Sequence, residues 1–252
     1  PVWGAILVAL IIGQLIYRRM LSLPMVSIIG VVALYALIGI GPSVPIQMPA
    51  EVAGLSGNAV WILILFAYAA IASLLPVWVL LQPRDYINGL QLFIGLIILY
   101  GAIVLMNPTL VAPAFNTNVP AGTPSLLPLL FVTIACGAIS GFHGLVSSGT
   151  TSKQLNRETD ARFVGYFGAV GEGMLALAAI LAATAGFATF GDWQAMYSAF
   201  GQGGVNAFVE GGAFIIHNGI GLPEATAATL LTVMAALFAG TTMDTGLRLQ
   251  RY

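Results

Sequence analysis

Apolar residues gather into long runs broken by short clusters of Pro, Gly and Asn, and this alternation dominates the chain. A bilayer core of about 30 Å asks a helix for roughly 20 such residues. The runs predict seven spanning helices, over about 2–17, 23–41, 59–81, 87–106, 126–148, 163–187 and 225–247. Breaks such as Gly41-Pro-Ser-Val-Pro45 and the long uncharged stretch 107–124 separate them. The stretch 203–223 is apolar enough to enter a bilayer but carries Asn206, Glu210, His217 and Asn218 between glycines. It reads as a short re-entrant or interfacial segment.

Positive charge fixes the direction of the runs, because Lys and Arg favour the cytoplasmic side. With seven spans, Arg18, Arg19, Arg84, Lys153, Arg157, Arg162, Arg248 and Arg251 all fall on one face, and the opposite loops hold Glu51 and Asp192. A crossing at 203–223 would put Arg248 and Arg251 on the wrong side. The predicted topology therefore runs from outside at Pro1 to cytoplasm at Tyr252. Trp3, Trp61, Trp78 and Trp193 lie mostly near predicted helix ends and read as interfacial anchors.

Composition agrees. The 252 residues are 59% hydrophobic and 7% charged, against about 25% charged in soluble domains. A net charge of −1 excludes nucleic acid as a partner. The single cysteine, Cys136, excludes an internal disulfide and reads as packing inside a helix. The chain starts within an apolar run, with no basic leader or cleavage site, so no signal peptide is expected.

The fifth run departs from what lipid alone requires. From Thr133 to Lys153 it fills with glycines and hydroxyls and holds one histidine. Unpaired polar backbone in hydrocarbon costs several kcal/mol, so it survives only inside protein or along a cavity. A helix broken near 137–151 is expected, and with it a transport path. Ser140, Gly141, Ser147, Ser148, Gly149 and Thr150, with Thr151 alongside, offer hydroxyl and N–H donors suited to a carboxylate. The same residues also read as a helix-ending loop, and Gly137-xxx-Gly141 as a helix-packing motif. His143 suits proton-linked work, or a hydrogen bond to a backbone carbonyl.

Glu172 is the sharpest single residue. It lies roughly 15 Å along its helix from Arg162, near the bilayer centre. Gly165, Gly168, Ala169, Glu172 and Ala176 share one helix face, which is expected to pack on another helix. A carboxylate there is either a proton carrier or a hydrogen-bonded clamp between helices. Asp244 precedes Arg248 by four residues, which suits an ion pair along the helix; beside Thr241 and Thr242 it also suits an inner gate. Arg84-Asp85 reads as a topology anchor or a gating contact, and Glu210 with His217 as an interfacial loop or part of a pore lining. No metal-ligand cluster, P-loop or nucleophile elbow occurs, so neither an enzyme nor a cofactor is expected.

Four stretches carry a family resemblance. They are 135–155, with Ala135-Cys-Gly-Ala-Ile-Ser-Gly-Phe-His143 and Ser147-Ser-Gly-Thr-Thr-Ser-Lys153; Ala72–Tyr86; Gly165–Gly173; and Thr241–Tyr252. In this order they resemble the carbon starvation protein A (CstA) family of bacterial membrane transporters. The resemblance implies a multi-pass secondary transporter of the bacterial inner membrane, and an inverted-repeat fold with discontinuous helices. It also implies that the chain is one transmembrane transporter domain, 1–252, from a longer protein whose remainder is its partner. The implied cargo is a small carboxylate such as pyruvate, or a short peptide, moved with H⁺ or Na⁺. The 137–151 residues would bind substrate, and Glu172, His143 and Asp244 would couple the ion. A channel or a structural or sensory membrane subunit stands as the alternative of another class.

Overall fold

The structure is a computed structural model that describes residues 2–18, 21–44, 48–52, 54–117, 119–138 and 141–251. Its helices are α1 (Val2–Tyr17), α2 (Leu23–Ile40), α3 (Gly57–Leu74), α4 (Leu81–Met106), α5 (Leu126–Ala138), α6 (Gly141–Gly149), α7 (Asp160–Ala185), α8 (Phe190–Met196), α9 (Gly204–Ile220) and α10 (Glu224–Arg251). Two-residue strands, β1 (Glu51–Val52) and β2 (Leu55–Ser56), form a small antiparallel hairpin before α3. The protein is an all-α, multi-pass membrane protein. Helices α2, α3, α4, α7 and α10 are long and apolar enough to cross a bilayer, whereas α1 and α5 are shorter apolar helices. Leucine, isoleucine and phenylalanine side chains such as Leu7, Ile28, Phe66, Ile97 and Phe131 stand outward and exposed, as lipid-facing surfaces require.

The chain divides into two compact units, Pro1–Gly95 with Thr232–Tyr252, and Leu96–Leu231. In the first, α1 and α2 pack together. Ala5, Ala9 and Ile12 are buried on α1, and Val26, Gly30, Leu34 and Ile38 form an i, i+4 ladder on α2. A Cβ on Gly30 would lie 2.5 Å from the Cδ1 of Ile12, so a larger residue there would make the end of that side chain shift. Helix α3 starts at Ser56, whose hydroxyl accepts from the Ala59 N–H at 3.3 Å. It stops at Leu74, because Pro76 drives Leu75 into extended backbone (φ −68°, ψ 148°). The sequence pattern ran this span to 81 and began the next near 87. The proline shortens the first, and α4 begins at Leu81. Arg84 and Asp85 consequently sit inside a helix, not in a connecting loop.

The second unit is held by small residues. Ala178, Ala182 and Ala185 of α7 face Ala207, Gly211 and Gly212 of α9. A Cβ on Gly211 would come within 2.1 Å of the Ala182 carbonyl oxygen, so the two backbones nearly touch. The segment expected to re-enter is thus one unbroken helix of 17 residues. It ends at Gly221, in left-handed backbone (φ 80°), with its N–H on the His217 carbonyl. Trp193, read as an interfacial anchor, is instead buried with Phe187 and Ala207. Its indole N–H donates to the Ala183 carbonyl at 3.2 Å, and the Tyr197 hydroxyl donates to the same oxygen at 3.3 Å. Burial pushes the Tyr197 phenol above its ordinary pKa. Asp192 closes a capping box with Thr189 at the start of α8.

Candidate functional site

The segment that stood out in the sequence becomes two helices, α5 ending at Ala138 and α6 starting at Gly141. Ser140 and the junction itself lie outside the described residues. Helix α6 spans nine residues, with Gly141 at one end and Gly149 at the other. Its hydroxyls turn back onto their own helix. Ser147 donates to the Gly144 carbonyl at 2.9 Å and Ser148 to the Leu145 carbonyl at 3.2 Å. The Thr150 N–H donates to the Val146 carbonyl at 2.9 Å, and a 3-10 turn follows over Thr151–Lys153. Both serine oxygens are exposed and keep lone pairs for a further donor.

His143 leaves α6 toward α7. Its Nε2 lies 3.5 Å from Oε1 of Glu172, and both side chains are more than half exposed. The structure thus joins two of the candidate coupling residues, one per helix. Tyr100 of α4 donates to the Met174 carbonyl at 2.6 Å, two residues beyond Glu172. The small-residue face around Glu172 differs from expectation. Gly165, Gly168, Ala169 and Ala176 are exposed, and a Cβ on either glycine would meet nothing within 4 Å. No described helix of this chain packs there, and among the described residues only His143 reaches the carboxylate.

The third coupling candidate, Asp244, belongs to a constellation that no local pattern displayed. Its Oδ2 lies 2.5 Å from Nη1 of Arg84, and the Tyr68 hydroxyl donates to the same oxygen at 3.3 Å. The Arg84 Nη1 also donates to the Tyr68 oxygen. Arg84 and Asp244 are 3% and 2% exposed, so this is an ion pair in a water-poor interior. The expected pair with Arg248 does not form. Arg248 donates instead to the Leu75 carbonyl at 2.7 Å and the Ala72 carbonyl at 3.2 Å, and Arg251 donates to the Ser73 carbonyl at 2.9 Å. Where Pro76 ends α3, the last-turn carbonyls need donors, and the arginines of α10 supply them. Arg84 and Asp244 were each visible as charges at helix ends. Tyr68 gave no signal in an apolar run, and their meeting depends on α10 returning to α3 and α4, which lie far from it in sequence.

Glu210 and His217 lie exposed on α9, with the His217 Nδ1 2.8 Å from the Leu222 carbonyl oxygen. Among the described residues no cluster of His, Cys, Asp or Glu suits a metal ion.

The pyruvate/proton symporter BtsT of Escherichia coli is 49% identical over 125 residues, which are 48% of this chain and 17% of that protein. The peptide transporter CstA of the same organism is 48% identical over 128 residues, 49% of this chain and 18% of the relative. The peptide transporter CstA of Bacillus subtilis is 37% identical over 195 residues, 73% of this chain and 32% of the relative. The matches thus span between about a sixth and a third of these relatives' lengths. No solved structure matches the chain. The family description "Carbon starvation protein CstA" fits residues 2–201, and the chain therefore belongs to the CstA family of membrane proteins.

Proposed function

We propose that the chain forms part of a proton-coupled secondary transporter that imports a small carboxylate such as pyruvate across the bacterial inner membrane. The observation that carries this reading is the His143–Glu172 pair, two titratable groups 3.5 Å apart on separate helices beside the α5–α6 junction. A proton held between them biases how α6 sits against α7, which is the kind of differential contact alternating access requires. Ser147, Ser148 and Thr150, together with Ser140, Gly141 and Gly149 from the same segment, are assigned to the carboxylate. The name of the Escherichia coli relative, a pyruvate/proton symporter, supports this cargo and ion.

The test is uptake of labelled pyruvate by proteoliposomes carrying the full-length protein that contains this sequence. Saturable accumulation that needs an inward proton gradient is expected. In Glu172→Gln the gradient dependence should vanish while the protein remains folded. An unchanged pH profile in that variant would remove Glu172 from coupling, and an unsaturable current would point to a channel.

A second reading keeps the fold and changes the cargo to a short peptide. It is supported by the peptide-transporter names of the other relatives. Vesicles that accumulate a dipeptide but no pyruvate would establish it in place of the first.

A further inference from the structure

The proposed transport path leaves Arg84, Asp244 and Tyr68 unused, yet Arg84 and Tyr68 line a cavity of about 440 Å³. Its wall is otherwise mostly apolar and aromatic, with Trp3, Trp61, Leu65 and Gly240 among the lining residues. Arg84 lines it, and no acidic residue does among the described residues. The guanidinium is only partly matched. Its Nη1 serves Asp244 and Tyr68, its Nη2 reaches the Gly240 carbonyl only at 3.4 Å, and its Nε is buried with no hydrogen-bond partner. Nε and Nη2 form the side-on edge of the guanidinium fork, the edge that holds a carboxylate bidentately. Asp244 mirrors this, since its Oδ1 is also buried without a partner. A buried donor and a buried acceptor left unmatched mark an arrangement that a ligand can improve.

We propose that this cavity is a monocarboxylate site in which the ligand replaces Asp244 as the counterion of Arg84, with one proton passing to the Asp244 carboxylate. Charge requires the proton. The resting pair sums to zero, and the two further charges near it, Arg248 and the ionised Asp85, cancel each other. A carboxylate added without a proton leaves a net negative charge in an apolar pocket, which is strongly disfavoured. A carboxylate added with a proton on Asp244 returns the sum to zero, and the protonated acid becomes a donor beside the ligand. The charged and titratable groups around Asp244 are Arg84 and Asp85 of α4, Tyr68 of α3 and Arg248 of α10. The nearby part of α1 supplies Val2, Trp3 and Ile6, none of them charged. A zwitterionic peptide would satisfy the same charge rule without a proton, but its ammonium finds no acidic wall, which favours the monocarboxylate.

Calorimetric titration of the full-length protein in lipid nanodiscs tests this, using pyruvate, its neutral amide and alanylalanine in buffers of different ionisation enthalpy. Pyruvate should bind with uptake of one proton and about tenfold more tightly per pH unit lowered, and the amide should not bind. Arg84→Gln should abolish binding. Asp244→Asn should bind pyruvate at all pH values without proton uptake, a result that a purely structural role for the aspartate does not produce. Equal binding of pyruvate and the amide overturns the site, as does pyruvate binding without a proton, alanylalanine binding in its place, or binding that survives Arg84→Gln. Should Arg84→Gln fail to fold, the wild-type proton count and the amide comparison still decide. The inference rests on the carboxylate reading above but is separable from it. Loss of uptake with binding intact overturns transport alone, and uptake that persists in a folded Arg84→Gln protein overturns this site alone.

Discussion

Arg84 and Asp244 show what a buried charge asks of its neighbours. Each is almost completely enclosed, and each depends on the other and on Tyr68. Removing one partner leaves an uncompensated charge, so Asp244→Asn or Arg84→Gln should lower stability by about 3–5 kcal/mol, whereas Arg84→Met with Asp244→Leu should recover most of that. Unfolding midpoints of the two single variants and the double variant in detergent check this; equal loss in all three would show that packing, not charge, dominates. Either charge alone was legible in the sequence, because charged residues are scarce among apolar runs. Their pairing was not, since i, i+4 spacing is the one pairing a sequence displays directly, and it pointed Asp244 to Arg248. His143 and Glu172 were both singled out by being polar within apolar helices, but only the approach of α6 to α7 made them a pair.

Among the elements, glycine has opposite meanings on α7 and α9. At Gly211 a methyl group would strike the Ala182 carbonyl, so Gly211→Ala should push the helices apart and cost about 1–3 kcal/mol. At Gly168 a methyl group meets nothing, so Gly168→Ala should raise stability by about 0.5–1 kcal/mol through helix propensity alone. Thermal unfolding of the two variants of this chain would distinguish the cases, and a destabilising Gly168→Ala would mean that its face is covered. The sequence treats both as small residues on a helix face. Contact depends on whether another backbone is there to meet them. Helix ends were more legible where a proline set them. Pro76 ends α3 by a local clash, though the span reading carried past it because hydropathy does not register backbone geometry.

For the whole molecule, the strongest sequence statement is the asymmetry of positive charge. It predicts that the stretch 107–124 lies outside and the stretch 150–162 in the cytoplasm. In a Cys136→Ser background, a membrane-impermeant maleimide added to intact cells should label Thr117→Cys and not Glu158→Cys. Labelling of both, or of Glu158→Cys alone, would break the seven-span parity. The structure adds that, among the described residues, five helices have full spanning length. The remaining two runs were counted as spans because their composition is apolar, which hydropathy reads well, while helix length depends on where the backbone actually breaks.

By itself the sequence determined the class of this protein, its apolar helices, the polar segment near 137–151 and the family, because each follows from composition or from a contiguous motif. Tertiary structure decided what these residues meet. It put Glu172 beside His143 with an open small-residue face, sent the arginines of α10 to the carbonyls of α3, and enclosed Arg84 with Asp244 next to a cavity. Pairings of this kind are set by how helices distant along the chain come together. No window on the chain contains both partners, so no local pattern could have named them.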